Sequence, residues 1–215
     1  MNGVDVYAIS QVLHEAGVWH KIEDDFICTK KTRIKIPKIN EKVAYFAGVV
    51  AGDGNLNKCR RKVGGYYYRV NVVGRKEYIE QLPVLIRELF RYQPRIQRDK
   101  RKKNCYAINI NCAAVYFFFI QLGFQSGKKD RLRVPSLIAE NASLFQHYMH
   151  GLIDTDGSVL KNRVHLKQRD KGFLKELVRL LKKHLNISST HLKVNYTKGK
   201  PYYYIRFPDF RSVTT

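Results

Sequence analysis

The sequence predicts an α+β protein made of two repeats that are related by a pseudo-two-fold axis. Three observations lead to this fold class. A similar segment occurs twice, as KVAYFAGVVAGDGNL at 42–56 and as FQHYMHGLIDTDGSV at 145–159. Each copy has the apolar and small-residue composition of a buried helix. Each is also followed by the same succession of alternating strand patterns and an amphipathic helix, which is typical of an internal repeat.

The elements follow in the same order in both halves. After 42–56 come a short polar strand, a basic turn, the strand pattern YYYRVNVV and the helix pattern KEYIEQLPVLIRELF. After 145–159 come SVLK, a turn, VHLKQR and the helix pattern GFLKELVRLLKKHL. Each half then offers one more hairpin, and the first half adds a closing helix near 113–122. We therefore predict two αββαββ(α) repeats, each with an antiparallel sheet, and the following division: an N-terminal extension at 1–35, the first repeat at 36–125, a linker at 126–133 and the second repeat at 134–215.

The composition indicates a polyanionic partner. Lys and Arg number 40 against 18 Asp and Glu, which gives a formal net charge of +22. Nucleic acid is the first candidate for such a chain and an anionic membrane the second. The longest apolar run, at 113–122, has about half of the ~20 residues that a spanning helix needs. We therefore expect no membrane partner and an intracellular location, in the cytoplasm or wherever the polyanionic partner resides. The four cysteines form no CxxC pair, which favours free thiols over a zinc site.

Small residues on the repeated helix predict how the halves meet. Gly48 and Gly52 are four residues apart and share one helix face, with Ala47 preceding Gly48. Such a face lets two helix backbones approach closely. We expect the partner to be the helix that carries Gly151, so that Ala47, Gly48 and Gly151 lie at the interface of the two repeats.

An acid follows each small-residue helix. Asp53 and Asp156 occupy equivalent positions, where each opposes the negative end of its helix dipole. If the two helices end together, the carboxylates also repel each other, and a hard divalent cation such as Mg²⁺ removes both penalties. Asp-Gly by itself is a turn dipeptide. Its recurrence after two matching helices in a strongly basic chain favours a metal site for phosphodiester hydrolysis.

The segments FAGVVAGDG (46–54) and MHGLIDTDG (149–157) resemble the two signature motifs of single-chain LAGLIDADG homing endonucleases. The resemblance spans about 36–210. It implies that the motif helices form the interface between the halves. It also implies that Asp53 and Asp156 bind the catalytic Mg²⁺ or Mn²⁺ ions, with the backbone carbonyls of Gly52 and Thr155 as further ligands. The implied function is a monomeric, site-specific hydrolase of double-stranded DNA with a long asymmetric target, the activity that drives intron homing.

The same resemblance implies polar or basic residues near the scissile phosphates, at the end of the second strand of each repeat. Gln168 and Arg169 are the candidates in the second half, and Arg75 and Lys76 in the first. Gly74 falls where a polar residue is common, which predicts two unequal active centres. Ala51 likewise replaces an acid of the motif that the second copy keeps as Asp154.

The predicted DNA interface is a saddle of two antiparallel sheets, whose alternate strand residues face the bases. The candidate strand residues for DNA binding are Arg69, Asn71, Arg163, His165, Lys167, Lys193, Asn195 and Arg206. Tyr66, Tyr68 and Tyr203 are further candidates from the same strands. The alternating set that faces DNA stays open, because a shift of one residue exchanges the two faces. Candidate phosphate contacts in turns and the linker are Arg60, Arg61, Lys62, Arg98, Lys100, Arg101, Lys102, Lys103, Lys128 and Lys129.

Two other functions are compatible with this fold and charge. An RNA maturase that assists intron splicing would use the same basic surface. A non-catalytic, sequence-specific DNA-binding protein would not need both Asp53 and Asp156. A structural RNA-binding protein would account for the charge but not for the doubled motif.

Overall fold

The computed structural model describes residues 4–62, 64–99, 104–127, 131–188, 192–197 and 199–210. The candidate phosphate contacts Lys100, Arg101, Lys102, Lys103, Lys128 and Lys129 lie outside these ranges. The helices are α1 (Val6–Glu15), α2 (Glu41–Gly52), α3 (Lys76–Ile79), α4 (Leu82–Phe90), α5 (Ala113–Gln121), α6 (Ser136–Ala139), α7 (Ala142–Asp156) and α8 (Lys171–Leu185). The strands are β1 (Lys21–Glu23), β2 (Phe26–Cys28), β3 (Arg33–Lys35), β4 (Gly54–Arg60), β5 (Tyr66–Arg75), β6 (Arg95–Arg98), β7 (Cys105–Ile110), β8 (Gly157–Leu160), β9 (Arg163–Gln168), β10 (Lys193–Thr197) and β11 (Lys200–Pro208).

Each half contains one four-stranded antiparallel sheet, and the two sheets have the same topology. The strand order is β4-β5-β7-β6 in the first half and β8-β9-β11-β10 in the second. A motif helix precedes each sheet. In the first half, helices α3 and α4 connect β5 to the hairpin of β6 and β7, and in the second half, α8 connects β9 to the hairpin of β10 and β11. The predicted doubled α+β architecture is therefore confirmed, including the extra closing helix α5 of the first half.

The strand register fixes which residues of the two halves are equivalent. Gly54 pairs with Val72 in the first sheet, and Gly157 pairs with Leu166 in the second. Because Gly54 and Gly157 follow the two motif acids, Val72 and Leu166 are equivalent. Two residues further along each strand, Gly74 is therefore the counterpart of Gln168.

The motif helices α2 and α7 pack against each other along the centre of the molecule. Each is N-capped by an asparagine whose side-chain oxygen accepts a backbone N–H bond. The N–H of Val43 donates to Asn40 at 3.0 Å, and the N–H of Leu144 donates to Asn141 at 3.1 Å. A Cβ atom at Gly48 would lie 2.0 Å from the carbonyl oxygen of Tyr148. Glycine is thus required because the two backbones are in direct contact.

One face of each sheet is covered by helices. In the first half, Val70, Val72 and Ile108 are fully buried on the sheet face that α3 and α5 contact. In the second half, Val164, Leu166, Ile205 and Phe207 are buried beneath α8. The opposite face of each sheet carries the polar members of the alternation, as one-sided antiparallel sheets do.

The N-terminal extension packs on the outside of the first repeat and shares its hydrophobic core. Helix α1 packs against α5 through Ile9 and Leu13, and a three-stranded sheet of order β1-β2-β3 follows, with β3 beside α4. The extension thus contains one helix and three short strands, on the helical side of the repeat. None of the helices in the described ranges is long and apolar enough to cross a membrane.

Candidate metal centre and nucleic-acid interface

The two motif acids emerge at the same end of the helix pair. Asp53 caps α2, with its N–H donating to the carbonyl of Val49 at 3.1 Å, and Asp156 is the last residue of α7. A Cβ atom at Gly52 would lie 3.4 Å from Oδ2 of Asp156 and 1.9 Å from Oγ1 of Thr155. The carboxylate of Asp156 therefore lies against the backbone of the residue that precedes Asp53.

This donor set fits a hard divalent cation. It consists of two carboxylates and the adjacent carbonyl oxygens of Gly52 and Thr155, and the absence of a side chain at Gly52 lets Thr155 and Asp156 pack directly against the end of α2. In the described part of the chain, no cluster of three or more His, Cys, Asp or Glu side chains could hold a metal. Mg²⁺ requires no such cluster, since it is often bound by one or two carboxylates with water and substrate phosphate.

Gln168 completes the second centre. It is the last residue of β9, half-buried, and its Nε2 donates a hydrogen bond to Oδ2 of Asp156. This bond holds one carboxylate oxygen and turns the side-chain amide toward the centre. Arg169 follows directly and is exposed. The structure thus brings together two residues, Gln168 and Asp156, that the sequence placed at the same site.

In the first half, an open cleft lies at the position that the side-chain amide of Gln168 occupies in the second half. An open cleft of about 660 Å³ is lined by Asp53, Gly74, Arg75, Tyr78, Asp154 and Thr155 among others. Gly74 contributes no side chain, whereas the exposed Arg75 lies at the cleft wall. Lys76 starts α3 and forms an ion pair with Glu80 at 3.7 Å. The two centres are therefore unequal in the groups that surround their acids.

Two tyrosines at the first centre were not anticipated from the sequence. The hydroxyl of Tyr45 donates to Oδ2 of Asp154 at 2.9 Å, across the interface between the two helices. Burial, together with the charge of Asp154, raises the pKa of Tyr45 to about 12. Burial and the neighbouring Tyr45, Asp154 and Asp53 also raise the pKa of Tyr78. Both hydroxyls thus stay protonated at neutral pH, and that of Tyr45 acts as a donor to Asp154.

The pseudo-symmetric counterpart of the Tyr45–Asp154 pair is incomplete. Tyr148 is equivalent to Tyr45, but Ala51 stands where the other motif has Asp154. Tyr148 is fully buried, and its hydroxyl has no hydrogen-bond partner among the residues that the structure describes. The presence of tyrosine at matching positions of the two motifs was the sequence signal that could have identified this pair.

The register also decides which strand residues form the saddle face, defined as the sheet faces opposite the covering helices. In the second half, His165 pairs with Arg206 and Lys167 with Tyr204, so these lie on the face opposite Val164 and Leu166. Lys193 and Asn195 pair with Tyr204 and Tyr202 and share that face, as does Arg163. In the first half, Arg69 and Asn71 lie opposite the buried Val70 and Val72.

The register corrects some of the remaining candidates. Tyr68 is only 6% exposed and packs on Tyr116 and Phe117, so it does not face DNA. Tyr203 lies on the helix side, with the ammonium of Lys171 over its ring. Arg60 and Arg98 pair with Tyr66 and Tyr106, which also places them on the helix-side face. Tyr66, the partner of Arg60, is exposed at the start of β5 but lies on the same helix-side face, so its predicted contact with DNA is also corrected. Arg61 and Lys62 are exposed in the turn after β4.

The saddle face includes polar residues that the sequence reasoning missed. They are Asn55 and Asn57 on β4, Arg95 and Gln97 on β6, and Asn109 on β7. Alternation alone would have found them once the phase of β5 was known. Both halves also place an arginine over a tyrosine two residues earlier, Arg69 over Tyr67 at 5.3 Å and Arg206 over Tyr204 at 5.4 Å.

His165 is a neutral member of this face. Partial burial and the positive charges of Arg206, Lys167 and Arg163 lower the pKa of His165. Its imidazole is therefore uncharged at neutral pH and carries one donor and one acceptor nitrogen.

Comparison with known proteins agrees with this geometry. The LAGLIDADG-like domain family matches residues 146–213. Two curated proteins of Methanocaldococcus jannaschii are similar: the replication factor C small subunit, 26% identical over 77% of this chain, and the uncharacterized protein MJ0398, 28% identical over 69%. The chain spans only 9% of the first protein and half of the second.

Solved structures match over most of the chain. A variant of the homing endonuclease I-DmoI has a TM-score of 0.60 at 22% identity, covering 78% of this chain and 88% of its own. I-DmoI in complex with DNA and Mn has the same score and identity, covering 78% and 89%. The N-terminal LAGLIDADG domain of DUF199/WhiA has a TM-score of 0.51 at 15% identity, covering 77% and 74%. Residues 146–213 therefore form a LAGLIDADG-like domain, and the chain as a whole has the two-repeat LAGLIDADG fold of the homing endonuclease I-DmoI.

Proposed function

We propose that this protein is a site-specific endonuclease that hydrolyses both strands of duplex DNA with Mg²⁺ or Mn²⁺. The observation that carries the proposal is the convergence of Asp53 and Asp156 at one end of a helix pair whose backbones touch, with Gln168 bound to Asp156. The similar fold of I-DmoI, which has been solved with DNA and Mn, supports it. The exposed basic face of both sheets supports the same substrate class.

The residues of the chain have distinct roles in this reaction. Asp53, Asp156 and the carbonyls of Gly52 and Thr155 hold the cation. When bound, the cation supplies charge neutralisation at the scissile phosphate and lowers the pKa of a bound water. Gln168 fixes the orientation of Asp156 and offers its amide to that water. The exposed Arg75, Lys76 and Arg169 would contact phosphates flanking the cleavage positions.

The saddle face would read a long target. Strands in the major groove present arginine to guanine edges, and asparagine or glutamine to adenine edges. The saddle of the first half carries Asn55, Asn57, Asn71 and Gln97 beside Arg69 and Arg95, whereas that of the second carries more cations. Because the two halves differ in these residues, the target should be asymmetric, and one chain with two repeats acts as a monomer. We infer that the protein works inside the cell, where that DNA resides.

The test is a cleavage selection on a randomised duplex library, with Mg²⁺ or with EDTA. The parent, Asp53→Asn and Asp156→Asn are compared, and Glu140→Gln serves as a control because Glu140 is an exposed acid outside the centre. We expect Mg²⁺-dependent double-strand cuts at one long motif, which both aspartate variants lose while they still bind that motif. Cutting by both variants at the parent rate would exclude the metal assignment. Binding without cleavage would favour a non-catalytic DNA-binding protein, and an intron-splicing assay would then test the maturase alternative.

A further inference from the structure

The exposed side of α8 is exclusively basic. The exposed side chains of this helix are Lys171, Lys175, Arg179, Lys182 and Lys183. They recur at intervals of three and four residues, so they form one stripe along the helix. From the first to the last, the stripe spans about 18 Å at 1.5 Å per residue. We call these five residues the α8 stripe.

The stripe is not neutralised by the protein. None of its members forms an ion pair with an acid in the described part of the chain. The two acids of this segment are engaged elsewhere. Asp170 accepts backbone bonds from Leu132 at 2.9 Å and from Phe173 at 3.0 Å, and Glu176 accepts one from Val134 at 3.2 Å. No acid of the described chain thus neutralises the stripe, and only Lys171 has another contact, with its ammonium over the ring of Tyr203 at 5.7 Å.

The equivalent surface of the first half is an internal control. Helices α3 and α4 join the same strands as α8, and their exposed charges, with the flanking Glu80 and Arg91, are balanced. The cations are Lys76, Arg87 and Arg91, and the acids are Glu77, Glu80 and Glu88. Lys76 pairs with Glu80, and Glu88 pairs with Lys42. A basic outer helix is therefore not a requirement of the fold or of the saddle.

Helix electrostatics account for only part of the stripe. Lys182 and Lys183 lie in the last turn, where cations stabilise the helix dipole. Lys171 lies in the first turn, where a cation is unfavourable, and Lys171, Lys175 and Arg179 repel one another at i,i+4 spacing. The sequence accepts this repulsion without any acid on the same side, which indicates a role for the charges outside the fold.

The stripe faces away from the saddle. Phe173, Leu177 and Leu181 bury the opposite side of α8 against the sheet face that carries Leu166 and Phe207. The outer side of α8 is thus separated from the saddle by the sheet and by the helix diameter of about 10 Å. A duplex has a persistence length of about 150 base pairs, so a short site held in the saddle cannot bend round to reach the stripe.

We propose that the α8 stripe binds the phosphate backbone of a second segment of duplex DNA, so that one protein molecule holds two duplexes. Duplex carries one charge per about 1.7 Å of axis, so the length of the stripe faces several phosphates. The exposed side of α8 has no aromatic side chain, which excludes the stacking platform typical of single-strand binding. Contacts of this kind are independent of sequence and weaken steeply with salt. They would keep the protein on DNA while the saddle samples sites.

The experiment uses the full chain in EDTA, so that no strand is cut. Protein is bound to an immobilised random-sequence duplex, free protein is washed away, and capture of a second labelled duplex is measured over a salt series. Lys175→Gln/Arg179→Gln is compared with the matched pair Arg87→Gln/Arg91→Gln, which has the same i,i+4 spacing on the first half. Glutamine keeps the helix propensity of lysine and arginine.

We expect the parent and the Arg87/Arg91 variant to capture the second duplex. In the Lys175/Arg179 variant, capture should fall and the slope of log K against log salt should shrink by about 1.8. Equal capture by all three proteins, or an equal loss in both variants, would overturn the proposal. The proposal would also be overturned if the Lys175/Arg179 variant lost capture of duplex RNA but kept capture of duplex DNA. Retention of the Lys175→Gln/Arg179→Gln variant on the first duplex reports on the saddle separately, because its stripe is weakened, so failure of the saddle and failure of the stripe are distinguishable.

Discussion

Adding one methyl group at the centre of the helix pair should destabilise the protein, although alanine is the better helix former. Alanine at an interior helix position is worth about 1 kcal/mol over glycine. At Gly48, however, the new Cβ would lie 2.0 Å from the carbonyl oxygen of Tyr148 and 2.8 Å from the amide nitrogen of Leu152. Ordinary contact begins near 3.4 Å, so α2 and α7 would have to separate by about 1.4 Å.

This separation would open contacts along both helices. Overpacking in a well-packed core costs about 1–3 kcal/mol, and here the obstruction is backbone that no rotamer change can relieve. We therefore expect Gly48→Ala to lower the free energy of unfolding by about 2 kcal/mol or more. Gly151→Ala should have a similar effect, because its Cβ would lie 2.0 Å from the carbonyl oxygen of Tyr45. The double variant should cost less than the sum, since the first methyl already separates the helices.

Urea unfolding of the parent and the three variants measures these differences. Gly74→Ala is the control, because a Cβ there would meet Ile79 and Tyr78 at an ordinary 3.5 Å. Its stability should equal or slightly exceed that of the parent, since glycine weakens a strand. A Gly48→Ala protein as stable as the parent, or more stable, would refute the backbone-contact argument, because only the helix-propensity gain would then remain.

The asymmetries between the halves give further predictions. Tyr45→Phe should destabilise the protein by about 1 kcal/mol through loss of the hydrogen bond to Asp154. Tyr148→Phe should be neutral or stabilising, because the buried hydroxyl of Tyr148 has no partner among the described residues. The urea midpoints of the two variants test this difference, and equal losses of stability would contradict it. The raised pKa of Tyr45 means that the folded protein favours the protonated hydroxyl. The stability that this hydroxyl contributes is therefore present below pH 10 and is lost as the pH rises toward 12. The fall in stability at alkaline pH should be shallower in Tyr45→Phe. Under the proposed endonuclease function, Gln168→Gly should slow nicking of one strand. Gly74→Gln, whose side chain the open cleft accommodates, should speed nicking of the other strand. Strand-specific end-labelling would show both changes, and equal effects on the two strands would exclude separate centres.

The motif helices and the succession of strands and helices along the chain were predictable because each rests on a local pattern that occurs twice. Gly48 and Gly151 could be recognised as contact residues because a small-residue helix face has few other uses. The phase of the strands was not predictable, since alternation fits either face until a pairing such as Gly54 with Val72 fixes it. The bond between Tyr45 and Asp154 joins residues 109 positions apart and depends on the rotation of both helices, which no local pattern encodes.

The two repeats allow requirements of the fold to be separated from requirements of function. Positions that agree in both halves hold the architecture or the centre: the touching glycines and the two acids that follow them. Positions that differ are tolerated by the fold, because one half folds without the feature that the other half has. The amide of Gln168 against Gly74, Asp154 against Ala51, and the basic α8 stripe against the balanced charges of α3 and α4 all belong to this class. The same saddle is thus built twice, while the side chains around its acids and its outer surface differ, which is what the proposed function predicts, since the two halves would contact different parts of one asymmetric target.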